Sequence, residues 1–144
     1  MNEEKVKQAQ EKTAIGRHAF IRISEISEED KAKFLPLLLL GDESEAMIKR
    51  YIHRGRLFAL YEHNNAASDL RAVCVLTNEG DGLFEIKNLA VAPEHQRCGF
   101  GRRMVFFVVD LCRQAGAKTL SSALGAIPKS CPFTKNAALR SRIL

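Results

Sequence analysis

The chain has 144 residues, of which 46% are hydrophobic and 27% charged. That length suits one folded domain with a core, and that balance excludes a disordered or fibrous chain. Its 22 Lys and Arg against 17 Asp and Glu give a net charge of +5, but the basic residues are scattered, which suits an anionic small molecule better than nucleic acid.

Three further classes are disfavoured. No apolar run reaches roughly 18 residues, so no membrane span is expected. The start, MNEEKVKQAQEK, lacks the apolar segment of a secretory leader. Cys74, Cys98, Cys112 and Cys131 form no CxxC pair, and His18, His53, His63 and His95 are dispersed, so no metal site is expected. A reducing cytoplasm is the expected compartment.

The chain reads in order as follows. Residues 1–15 form a polar, solvated arm. Phe20–Ile23 alternates apolar and charged, as a strand does. Ser27 with Glu28, Glu29 and Asp30 resembles a helix start with acids in the first turn. That helix runs through Phe34, Pro36 interrupts it, and Leu37–Leu40 forms a second piece. Gly41 and Asp42 break the chain. Ser44–Ile52 is a further short helix with Ala46, Met47, Ile48 and Tyr51 available for burial.

Leu57–Tyr61 and Leu70–Thr77 are strands, with a turn over Glu62–Asp69 and another over Asn78–Gly82. Leu83–Val91 is the next strand, ended by Pro93 and Glu94. Gln96–Gly101 makes a turn. Arg102–Ala115 is an amphipathic helix, and Gly116 stops it. Met104, Val105, Val108 and Leu111 share its apolar face, with Phe107 and Cys112 alongside. The order is β-α-α-β-β-β-α-β, an α+β (mixed α/β) domain with a mostly antiparallel sheet. One domain over residues 1–144 is expected, with an atypical tail over 121–144.

Residues 83–120 carry the chemistry. Two glycines and flanking arginines at a strand-to-helix junction expose backbone N–H groups at the positive end of a helix, which suits a phosphate. A P-loop needs Gly-Lys-Ser/Thr, but Gly101 is followed by Arg102 and Arg103. A Rossmann turn needs a third glycine, and Met104 stands there.

The segment Val91-Ala92-Pro93-Glu94-His95-Gln96-Arg97-Cys98-Gly99-Phe100-Gly101 resembles the acetyl-CoA signature of the GNAT superfamily of N-acetyltransferases. Gln96, Gly99 and Gly101 match Gln/Arg-x-x-Gly-x-Gly/Ala, and Asn88-Leu89-Ala90-Val91 is similar to the strand before it. The resemblance covers residues 20–120, most specifically 83–116. It implies that the amides of Gln96, Arg97, Cys98, Gly99, Phe100 and Gly101 hold the CoA pyrophosphate. It also implies that Arg97, Arg102 and Arg103 help neutralise phosphates. Leu89, Ala90 and Val91 would then run beside the pantetheine arm, with the strand backbone polarising the thioester carbonyl.

The implied reaction is direct acetyl transfer from acetyl-CoA to an amine. Glu85 is the candidate general base, sharing a face with Lys87; Asn88, on the other face, is a candidate substrate-orienting residue. Cys98 has no His partner at a recognisable spacing, which disfavours covalent catalysis. Family acceptors include small amines and peptides, and dimers are common. A noncatalytic acyl-CoA-binding or regulatory module is the alternative, and a nucleic-acid-binding domain a third.

The tail departs from the family. A fifth strand and a helix with aromatic-Tyr-x-Lys-x-Gly-Phe normally follow, the Tyr often serving as general acid. Here the chain reads SSALGAIPKSCPFTKNAALRSRIL, with no tyrosine beyond Tyr61. Each codon's third base read with the next codon's first two tells another story. From Cys131 to Leu139 the permitted codons include CCC TTT TAC GAA AAA TGC GGC TTT, spelling Pro-Phe-Tyr-Glu-Lys-Cys-Gly-Phe. From Ser121 the same shift permits Val-Gly-Thr-Gly-Gly-Asp-Ser. A frameshift near Leu120–Ser121 is therefore expected.

Overall fold

The computed structural model describes residues 11–12, 20–122 and 130–132, with side chains for 20–122. The strands are β1 (Glu11–Lys12), β2 (Phe20–Glu25), β3 (Arg56–His63), β4 (Ser68–Gly80), β5 (Leu83–Val91), β6 (Thr119–Ser122) and β7 (Ser130–Pro132). The helices are α1 (Leu35–Gly41), α2 (Glu45–Ile52) and α3 (Phe100–Gln114). The strands form one sheet in sequence order, antiparallel throughout except for β5 beside β6, which α3 connects in parallel.

Glu11 and Lys12 pair with Ile21 and Phe20, so the end of the expected polar arm joins the sheet. The expected tail contributes Ser130–Pro132, which pairs with β6. The rest of the expected arm and tail lies outside the described residues.

β3 and β4 bury both faces, because helices cover both sides of the sheet. Phe58, Leu60, Ala72 and Cys74 face α3 and pack on Met104, Val105, Val108 and Cys112. Leu57, Ala59, Val73 and Val75 face the other way and pack on Leu38, Ile48, Tyr51 and Ile52. Burial drives the Cys112 thiol up to about 12 and pushes Cys74 further up, so both stay protonated.

Glu28–Phe34 is a 3-10 helix, and the Ser27 hydroxyl bonds Asp30 Oδ2 (3.0 Å) instead of capping a backbone amide. Pro36 sits in the first turn of α1, where its missing N–H costs no helix bond. Ser44 does cap α2, accepting from Met47 N at 3.2 Å. Ala46 and Met47 are exposed rather than buried, and Ile52 is buried in their place. The β4–β5 turn shrinks to Asp81-Gly82, with φ of 54° and 78° and Gly80 at 90°. Such positive φ values match the twist of a tight hairpin.

Lys31 is buried, and its ammonium donates to Ile52 O and Gly55 O, both at 2.7 Å, where α2 ends. Glu28 completes the site with an ion pair at 2.7 Å. This tie holds α2 without touching β5.

Candidate functional site

The turn after β5 is built from unusual backbone. Arg97 has φ 66° and Gly99 has φ 89°. Glycine tolerates that region; an arginine there is strained. A Cβ added at Gly99 would meet nothing within 4 Å, whereas one at Gly101 would lie 3.3 Å from Val91 Cγ2. Gly101 therefore permits close packing of α3 on β5, and Gly99 faces open space. Phe100 is buried and anchors the helix start, with His95 edge-on at 6.3 Å. Cys98 is exposed, its sulfur 3.8 Å from Gln96 O.

The first turn of α3 lacks its usual partners. No side chain among the described residues caps it, and no acid lies in its first turn. The helical bonding begins with Arg103 N to Gly99 O at 3.1 Å, so the preceding amides have no intrahelical acceptor. Arg102 and Arg103 stand where the helix dipole favours negative charge. An uncapped positive pole with the exposed Arg102 beside it suits an anion. A cavity of about 510 Å³ opens there, lined by Leu89, Val91, Gln96, Arg97, Gly99, Gly101 and Arg102. Leu89 and Val91 give it an apolar end, and Arg97 and Arg102 a cationic one.

β5 supplies the second part of the site. Val75 pairs with Asn88, but Leu76 pairs with Ile86, so Lys87 is an extra, bulged residue. The bulge shows in the side chains too. Phe84, Ile86, Leu89 and Val91 all pack toward α3, while Ala90 packs on the α1–α2 side. β6 pairs only with Leu83–Ile86, which leaves the later part of that edge open among the described residues. Ala92 N donates to Arg71 O at 2.8 Å, and Val91 O accepts from Gln96 Nε2 at 3.3 Å. Backbone groups alternate along a strand, so the Leu89 and Val91 amides face the open edge and the Ala90 amide faces β4. The structure thus brings Leu89, Val91, Gln96, Arg97, Gly99, Gly101 and Arg102 together. Ala90, Cys98 and Phe100 lie outside the cavity lining.

Glu85 and Asn88 are placed differently from expectation. Glu85 pairs with Thr77 across the ladder, on the α1–α2 side. The bulge at Lys87 turns Asn88 to that same side, which corrects the opposite-face reading. A strict alternation through Lys87 cannot show this. Lys87 bridges Glu85 (3.1 Å) and Glu79 (3.3 Å), and Glu79 also bonds Arg54. That guanidinium, chiefly, holds the Glu79 carboxyl below the usual range. Glu85 is thus part of a charged row, roughly 13 Å along the strand from Leu89.

Asn88 is fully buried. Its amide donates to Leu38 O (2.9 Å) and Tyr51 Oη (3.0 Å), and Tyr51 donates to Asp42 Oδ2 (3.1 Å). Burial, chiefly, pushes the Tyr51 phenol up to about 12, so it remains a donor at neutral pH. Among the described residues, Asn88 Oδ1 has no hydrogen-bond partner. It lies against Gly41, where an added Cβ would come within 2.2 Å of it. Asn88 is therefore not placed to touch a substrate directly. The structure gathers Gly41, Asp42 and Tyr51 around Asn88, which the sequence did not indicate. The only sequence signals there were a helix break and an apolar helix position, both of which read as local structure.

Among the described residues, no group of three or more His, Cys, Asp or Glu could hold a metal ion. No described helix is long and apolar enough to cross a membrane.

Comparison with known proteins agrees with this geometry. The chain is 31% identical over 101 residues to the uncharacterized N-acetyltransferase YvbK of Bacillus subtilis (strain 168), covering 70% of this chain and 63% of that protein. An IAA acetyltransferase from Bacillus cereus ATCC 14579 matches with TM-score 0.62 and 29% identity, over 71% of this chain and 64% of that one. A Bacillus subtilis acetyltransferase in complex with CoA matches with TM-score 0.60 and 28% identity, over 71% and 64%. A GNAT family acetyltransferase from Elizabethkingia anophelis with acetyl-CoA bound matches with TM-score 0.61 and 27% identity, over 71% and 63%. The chain thus spans slightly less than two thirds of the length of each of these relatives. The sequence model of the acetyltransferase (GNAT) family matches residues 21–128, and the chain belongs to that family.

Proposed function

We propose that this chain binds acetyl-CoA at the β5–α3 junction and is built for acetyl transfer to an amine. The observation that carries the reading is the uncapped, arginine-flanked N-terminus of α3 at one end of the open edge of β5. The pyrophosphate takes the orphan amides of the turn, and Arg97 and Arg102 add countercharge. The pantetheine arm lies along Leu89 and Val91. The Leu89 amide donates to the thioester carbonyl and stabilises the oxyanion as the amine attacks. The C–N bond forms first, giving the tetrahedral oxyanion; its collapse breaks the C–S bond, and CoA leaves as a thiolate that must gain a proton. Glu85 accepts the amine proton through water, given its distance from Leu89. The acceptor is a small-molecule or peptide amine, and the compartment is the cytoplasm.

The alternative frame permits a tyrosine able to protonate the thiolate, whereas no tyrosine follows Tyr61 here, so the chain is expected to bind the donor and turn it over poorly. Titration of the purified chain with acetyl-CoA by calorimetry tests the donor site. Saturable binding that weakens with added salt is expected, because the ligand is a polyanion on a cationic site. Absence of binding at millimolar acetyl-CoA would overturn the reading.

Arg97→Gly separates the turn's geometry from its charge. Relief of the positive φ is expected to raise stability by about 0.5–1 kcal/mol. Loss of the guanidinium is expected to weaken acetyl-CoA binding several-fold at low salt. Urea melts and calorimetry read the two effects separately, and a variant that loses stability would show that the turn is not strained there.

A further inference from the structure

We propose that Asn88 is a positioning residue of the acyl site: it locks the bulge at Lys87 and so aims the Leu89 amide at the thioester carbonyl. The inference rests on the acetyl-transfer reading above. It begins with the parity of β5. Ile86 and Leu89 both face α3, although three positions apart, and only the extra residue Lys87 permits that. If β5 slipped to regular pairing, Asn88 would turn toward α3, among Ile86, Met104 and Val108. A carboxamide there would be buried with no partner shown to receive it. In the bulged register it donates instead to Leu38 O and Tyr51 Oη. The same slip would reverse the backbone alternation and turn the Leu89 N–H from the open edge toward β4. The polar side chain at position 88 thus decides which way the neighbouring amide points.

The lock extends into the helices. Asp42 Oδ2 accepts from Tyr51, and Asp42 Oδ1 accepts from Ser44 N at 3.0 Å. Gly41 lets the C-terminal turn of α1 lie directly on Asn88 and Leu89 O. The helices and the donor strand therefore meet at this joint. Nothing in the joint touches the cavity, so its effect on the ligand passes through the Leu89 backbone.

The test is the infrared carbonyl stretch of acetyl-CoA carrying ¹³C at the acetyl carbonyl, bound to the full chain. An aimed amide lowers that frequency relative to the free thioester. Asn88→Ala, and the milder Tyr51→Phe, are expected to lose roughly half or more of the shift while still binding acetyl-CoA. Lys31→Met is the control: it cuts a buried tie of α2 that does not reach β5, and it is expected to keep the full shift. If Asn88→Ala fails to fold, Tyr51→Phe decides. Variants at Asn88 or Tyr51 that keep the wild-type shift would overturn the inference, as would equal loss in Lys31→Met. A wild type that binds without any shift overturns the aimed amide and this inference with it. A wild type that does not bind overturns the donor site itself.

Discussion

Restoring the alternative frame after Leu120 is expected to raise acetyl transfer by about a hundredfold or more over the chain as encoded. The reason is chemical. CoA leaves as a thiolate, and a positioned general acid contributes about 10²–10⁴-fold to such a step. The encoded chain has no tyrosine after Tyr61. The shifted frame permits Pro-Phe-Tyr-Glu-Lys-Cys-Gly-Phe across the codons for Cys131 to Leu139. Acetyl-CoA affinity should change far less, because the turn and α3 lie wholly before the shift. The two effects separate in paired measurements: thiol release over a panel of amines, and calorimetry with acetyl-CoA. Equal turnover by the encoded and restored chains would refute the reading, and sequencing of the gene across Leu120–Ser121 would test its origin directly.

Gly41→Ala is expected to destabilise the fold by about 2–4 kcal/mol, against the usual direction of such a change in a helix. Propensity alone favours alanine over glycine by up to about 1 kcal/mol. Sterics oppose it here. The new methyl would lie 2.2 Å from Asn88 Oδ1, 3.0 Å from its Cγ and 3.1 Å from Leu89 O. Asn88 is buried and held by two hydrogen bonds, and Leu89 O is strand backbone, so neither yields cheaply. Overpacking costs about 1–3 kcal/mol, and displacing Asn88 adds the cost of its broken hydrogen bonds. Urea unfolding reads this as a lower midpoint at unchanged slope. A midpoint equal to or above that of the wild type would show that α1 can move off β5 freely.

Much of the cofactor half was legible because its signals are local. The apolar run Leu83–Val91 became β5, Gly99 took the left-handed conformation that opens α3, and Gly116, at φ 78°, closed it. Each residue type there answers to its own backbone. The acceptor side was less legible. Its helical pieces were found, but Met47 was placed inside and is 45% exposed, because helical spacing alone does not say which side neighbours will cover. Glu85 was read as a candidate base sharing a face with Lys87, whereas the hairpin brings Glu79 to the same lysine and Arg54 to Glu79.

The stretch from Leu83 to Gly116 was thus determined by the sequence itself: a strand, a glycine turn suited to phosphate, and an amphipathic helix. Short-range sterics and helix-end electrostatics suffice for that. Tertiary structure alone decided the bulge at Lys87, the face taken by Asn88 and the direction of the Leu89 amide. Those depend on how β5 pairs with β4, and on Leu38, Tyr51 and Gly41 arriving from sequence positions 37 to 50 residues away. A period-two reading of one strand contains no information about its partner's register.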